Sequence, residues 1–165
     1  MRTGRFSHSD VFQYGVLAGA AGGLAEVIWV CLYSAATGGD AALLARGVTT
    51  AAGVSALLPS APVVTGISVH MALAVLLGIA LAGLWQSIAS FRPGTASLYA
   101  AALAVLAAVW AMNFFVVLPI VSPDFIYLVP YWVSLTSKLL FGFAAAETLR
   151  RCAVPGLIAQ ARQAA

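Results

Sequence analysis

Residues 14–36 read YGVLAGAAGGLAEVIWVCLYSAA, one apolar run interrupted only by Glu26. A helix needs about 20 such residues to cross the hydrocarbon core of a bilayer, so this segment predicts a membrane-spanning helix. At 100° per residue, Gly15, Gly19, Gly22 and Glu26 fall within about 60° of one another, with Gly23 and Tyr33 close to the same stripe. Small residues four apart let a second backbone approach closely. The acid therefore belongs to a packing face and not to a lipid-facing one.

Three further runs of similar length follow: about 63–88 containing His70, 97–121 containing Asn113, and 127–149 containing Lys138. The predicted fold is all-α, an integral membrane bundle of four transmembrane helices in one domain over residues 1–165, with a polar cytoplasmic tail from residue 150. Composition agrees. Hydrophobic residues make up 62% of the 165 and charged residues 8%, with a mean hydropathy of +1.00. A soluble domain carries about 25% charged residues. That balance excludes a free-standing soluble enzyme, a nucleic-acid binder, a disulfide-rich secreted module and a disordered tail. The pI of about 9.2 reflects sparse basic residues at loop ends and implies no nucleic-acid partner.

The connections carry breaker chemistry. Thr37-Gly38-Gly39-Asp40 ends the first run, and Asp40 can cap a short helix through Ala41, Leu43 and Leu44. The stretch from Asp40 to Leu58 reads either as a short external helix lying in the membrane interface or as a plain loop. Arg92-Pro93-Gly94 predicts a tight turn, and Pro155-Gly156 predicts a break in any helix entering the tail. Aromatic residues Tyr127, Tyr131 and Trp132 lie where an interface belt is expected.

Orientation follows from positive charge. Arg2, Arg5, Arg92, Arg150, Arg151 and Arg162 share one side of a four-crossing chain, whereas the other has only Arg46. Short loops rich in Lys and Arg stay in the cytoplasm, which places both termini there. The first run exceeds the 7–15 residues of a signal-peptide core and holds an acid, so it is expected to be retained. Cys31 and Cys152 fall on opposite sides and read as two inert thiols.

Each run contributes one residue that is costly to bury: Glu26, His70, Asn113 and Lys138. On the fourth, Tyr131, Ser134, Lys138, Gly142 and Ala145 share a stripe, so Lys138 also points inward. Counting 1.5 Å per residue from Tyr14 puts Glu26 ~18 Å from the cytoplasmic side, with Lys138 at ~16 Å and His70 and Asn113 at roughly 24–27 Å. The expectation is a Glu26–Lys138 pair with Trp110 near its level, and a separate outer cluster of His70 and Asn113. Gly15, Gly19, Gly22, Gly23 and Gly142 are expected to be helix-packing positions. A buried ion pair can simply fix helix register, or it can relay protons. No cofactor or metal is expected: His70 has no second histidine within the runs for a haem, and no Cys/His/Asp cluster has metal-ligand spacing. Ser134 and Ser137 beside Lys138 suggest a Ser–Lys dyad, but an uninterrupted helix supplies no oxyanion hole.

Gly15-Val16-Leu17-Ala18-Gly19 leading to Glu26, Val69-His70 followed by Gly78, Asn113-Phe114-Phe115 running to Leu118-Pro119, and Lys138-Leu139-Leu140-Phe141-Gly142 together resemble a family of small four-helix bacterial inner-membrane proteins whose function is uncharacterised. The resemblance covers about residues 15–149. Members often carry a histidine where this chain has Lys138, so a site built on two histidines would lack one ligand here. The label sodium:proline symporter, sometimes attached to such proteins, is discounted because a four-helix chain lacks the inverted repeats and broken helices of those transporters. The resemblance implies a bacterial inner-membrane location. Three functional classes follow: a non-enzymatic accessory or scaffold component in a homo-oligomer or larger membrane complex; a small proton-coupled transporter using Glu26 and Lys138; and a quinone- or lipid-binding subunit using His70 and Asn113.

Overall fold

The computed structural model of the protein describes residues 8–89 and 94–163. Regular structure among them is entirely helical. Helix α1 (His8–Thr37) ends because Gly38 takes a left-handed φ of 71°, which turns the Gly39 N–H back onto the Ser34 carbonyl at 2.8 Å. Asp40 then caps α2 (Ala41–Ala51): one carboxylate oxygen accepts the Ala42 N–H at 2.8 Å and the other accepts Arg46 Nη2 at 2.7 Å. The helix alternative for this stretch is the one adopted, but only as far as Ala51; turns containing Gly53 (φ 68°) lead on to α3 (Pro62–Ala89). The turn expected at Arg92-Pro93-Gly94 lies outside the described residues except for Gly94, which precedes α4 (Thr95–Met112). Arg2 and Arg5 lie outside them too.

The break expected at Pro155-Gly156 is corrected, and the 97–121 run, though one candidate span over Thr95–Val121, is not regular throughout. After α4 the backbone widens into a π-helical turn (Asn113–Val117) and a single turn α5 (Leu118–Val121). Pro119 cannot donate to the i→i−4 ladder, and the Leu118 N–H bonds instead to the Asn113 carbonyl, five residues back. A 3-10 turn (Pro123–Tyr127) then leads to α6 (Tyr131–Gln163), which runs straight through Pro155-Gly156. A single proline forfeits one ladder bond, here the one to the Arg151 carbonyl, and the chain beyond it resumes helical pairing.

The long helices run antiparallel to their neighbours. Gly15 faces Ile79, Gly19 faces Ala74 and Val75, and Gly23 faces Met71, so α3 descends as α1 ascends. Gly22 lies on the ring of Phe141 in α6, and Gly142 lies against the Ala102 carbonyl in α4. All five expected packing glycines therefore sit at helix crossings, distributed over three seams. Gly78 is an unpredicted sixth: a Cβ there would meet the backbone of Gly15 and Gly19. α3 packs chiefly on α1 and α2, α6 lies against α1, and α4 leans on α6. At the end nearest Ala89 and Thr95, α3 and α4 converge on a buried cluster containing Ala18, Leu81, Ala82, Leu98, Leu106, Phe141, Ala145 and Ala146.

Among the described residues, three stretches are long and apolar enough to cross a membrane: Ser9–Thr37, Pro62–Ser87 and Thr95–Val121. α6 has the length, but Ser134, Thr136, Ser137, Lys138 and Glu147 make it more polar than those three.

Candidate functional site

Glu26 sits on the α1 face shared by the close-packed glycines, and its side chain is only 4% exposed. Such a carboxylate requires compensation. It comes mainly from α6. Lys138 Nζ lies 2.7 Å from Glu26 Oε1, and the Ser137 hydroxyl, the preceding residue, donates to the same oxygen at 3.1 Å. From α3, His70 Nε2 approaches Glu26 Oε2 at 3.6 Å and the Gly23 carbonyl at 3.4 Å. Because this nitrogen faces two acceptors, it is the one that carries a hydrogen.

The acid and base expected to meet across α1 and α6 do meet. The expected division of the other two polar residues does not hold. His70 belongs to the Glu26 site and is not part of a separate cluster. Asn113 sits half-buried at the start of the π turn, with no side-chain hydrogen bond among the described residues. The depth count erred because α1 begins at His8 and not at Tyr14. Measured from His8 and from Ala89, Glu26 and His70 lie at about 27 and about 28 Å, level across the antiparallel pair. Trp110 is near the level of the pair, as expected: its Nε1–H donates to Ser134 Oγ at 2.9 Å, and Ser134 donates in turn to the Tyr131 carbonyl at 2.9 Å.

These groups form one side of a chamber of about 350 Å³. Its other walls are apolar: Val27 and Val30 of α1, Val48 of α2, Val63 and Ile67 of α3, and Val133 of α6, with Phe114 from the π turn and Phe125 from the 3-10 turn. α2 forms the roof. Its placement depends on Gly66, where a Cβ would strike the Ala45 carbonyl, and on Thr49, whose hydroxyl donates to the Pro62 carbonyl at 2.6 Å. Gly47 permits the rings and methyls of Leu128 and Phe125 to close against the other side of α2. Lys138 and His70 are not sealed: their side chains keep 22% and 24% exposure and both line the chamber. Cys31 lines it as well, as a free thiol. Below the chamber, Ala18, Leu106, Phe141, Ala145 and Ala146 are wholly inaccessible and close the bundle.

Compared with known proteins, the chain matches no family model, no curated protein and no solved structure.

Sequence reasoning missed a second polar assembly. Glu147 of α6 accepts both Arg150 Nε (2.8 Å) and Arg150 Nη2 (2.7 Å), as well as Arg151 Nε and the Tyr99 hydroxyl of α4. The i,i+3 and i,i+4 spacing of Glu147 to the two arginines was the available signal; nothing local announced Tyr99. Cys152, one turn further on, has its thiol pKa pushed up by burial, which leaves it less reactive than a free thiol. Among the described residues no group of His, Cys, Asp or Glu is arranged to hold a metal ion.

Proposed function

We propose that this chain is a non-enzymatic, four-pass bacterial inner-membrane protein, related to the small four-helix family it resembles, that binds a small and largely apolar molecule in the chamber beneath α2. The observation that carries this reading is the placement of the Glu26–Lys138–His70 group at the edge of an apolar cavity and not within a packed core. A pair serving only to fix register would be sealed on all sides. Here the carboxylate is sealed, whereas the two basic groups present surface to the chamber.

The distribution of polarity on α6 supports a fourth crossing. Its serines and lysine turn toward α1 and the chamber, whereas Trp132, Leu140 and Phe143 are exposed on its outer side. A helix with polar groups satisfied inward can span lipid despite a modest overall hydropathy. Four crossings put both termini on one side, and the arginine distribution makes that side cytoplasmic. The chamber then lies in the periplasmic half, roofed by α2 at the interface, and the protein acts as an accessory component of a homo-oligomer or larger membrane complex. The packed floor below the chamber favours holding a molecule over passing one across, so a proton-coupled transporter is the weaker reading.

The test is retention. Purified from its own membrane in mild detergent, the protein should carry a small molecule in stoichiometric amount by native mass spectrometry. Val48→Phe, which fills the chamber from the roof, should remove it. Absence of any retained molecule, together with no saturable uptake of added apolar compounds, sinks the reading.

A further inference from the structure

Resting on that reading, we propose that the chamber selects a neutral apolar carbonyl compound, a quinone-like ring with a single tail, whose oxygen accepts hydrogen bonds from Lys138. Hydrogen-bonding capacity decides this. Glu26 Oε1 already receives Lys138 and Ser137, and Oε2 faces His70. The Ser134 hydroxyl has both a donor and an acceptor partner. His70 Nε2 is engaged by Gly23 and Glu26. An ammonium has three hydrogens; Lys138 directs one at Glu26, and the other two have no protein acceptor among the described residues. The unmet demand at Lys138 is therefore for an acceptor.

Charge decides between acceptors. Glu26 and Lys138 cancel one another, so a carboxylate or phosphate admitted beside them would be an uncompensated charge against apolar walls. A carbonyl supplies the acceptor without the charge. Size narrows the class further. About 350 Å³ lies at the small end of the ~300–1,000 Å³ typical of ligand sites, room for one ring carrying a single chain and not for two acyl chains. Phe114 and Phe125 offer ring surfaces on which a flat head can lie.

The experiment uses the full chain in nanodiscs and three probes with ten-carbon tails: an alkyl benzoquinone, the corresponding carboxylate and the plain alkane. Binding is read from tryptophan fluorescence, since Trp110 contacts Ser134 at the chamber wall. The quinone should bind saturably, the alkane about tenfold more weakly, and the carboxylate should not compete. The paired variant Glu26→Gln/Lys138→Met removes both charges together and should weaken the quinone about tenfold. Should that variant fail to fold, the infrared carbonyl stretch of quinone bound to the unmodified protein decides: one of its two carbonyls should move to lower frequency. An unshifted stretch, quinone binding unchanged in a folded paired variant, or carboxylate binding as tight as quinone each overturns the assignment. Alkane binding equal to quinone also overturns it while leaving the chamber reading standing. If none of the three probes binds saturably, the chamber reading itself falls.

Discussion

Where α1 meets α3 at Gly15, Gly19 and Gly78, no side chain separates the two backbones; about two turns further along the same pair, the helices flank a chamber of about 350 Å³. The closed end is assembled from small residues and a few large ones, such as Leu106 and Phe141, that are fully enclosed. The open end is assembled from irregular pieces: a short roof helix, a π turn and a 3-10 turn. Close backbone packing cannot tolerate added volume, whereas a cavity wall can. Rigidity at one end thus gives fixed walls to the other, and the Glu26 group sits where the two regimes meet.

The largest effect should come from the seam. A Cβ at Gly78 would meet main-chain atoms of Gly15 and Gly19, which cannot rotate aside. Gly78→Val should cost about 3 kcal/mol or more of stability in a denaturant titration in mixed micelles. Gly83→Ala, five residues along the same helix with nothing among the described residues within 4 Å of the added carbon, should be neutral or stabilising by about 0.5–1 kcal/mol. Equal stability of the two variants would abolish the distinction between the ends.

Next in size is the boundary group. Lys138→Met leaves the Glu26 carboxylate without its closest cationic partner at 4% exposure and should cost about 3–5 kcal/mol. Adding Glu26→Gln removes the stranded charge and should restore stability to within about 1 kcal/mol of the unmodified protein. Such recovery, measured as a double-mutant cycle, separates a pair needed for ligand from one needed for folding. No recovery would mean that the fold itself requires the ions.

These two regions also differ in how far they can be read from sequence. The glycine spacing at 15, 19 and 23 and the polar stripe around Lys138 are regular helix, where an angle of 100° per residue holds. The Glu26–Lys138 meeting followed from that regularity. The chamber did not, because its walls come from segments where periodicity carries no signal. Nothing local in Gly66 announces that it admits the Ala45 carbonyl, and nothing in Phe114 announces that a π turn will bring it to the chamber wall. The misplacement of His70 had a simpler origin: six helical residues before Tyr14 were not counted, about 9 Å of depth.

The roof should loosen in acid. The Ala42 N–H, and then the Arg46 guanidinium, hold the Asp40 carboxyl below its ordinary pKa of 3.8. A carboxyl depressed in the folded state stabilises that state at pH values above its unfolded pKa, and this support fades as pH falls through the folded value. Amide exchange over α2 should therefore be steady from neutral pH down to about 4 and rise below it relative to α1. Asp40→Asn should keep most of the cap but flatten this acid response. An unaltered response in that variant would assign the acid sensitivity to another group.

The smallest effect is expected at Asn113, and it tests the irregular end most sharply. Its amide is half-buried without a hydrogen-bond partner among the described residues, so it is not what holds two of these helices together. What the π turn takes from this residue is its backbone carbonyl, which accepts the Leu118 N–H, and leucine supplies that equally well. Asn113→Leu should change stability by no more than about 0.5 kcal/mol and leave chamber binding intact. An interhelical amide bond would be worth roughly 0.6–2 kcal/mol, so a loss in that range would show that α4 turns Asn113 toward a partner in the membrane. The π turn would then be an adjustable joint, and the chamber wall that Phe114 provides would move with it.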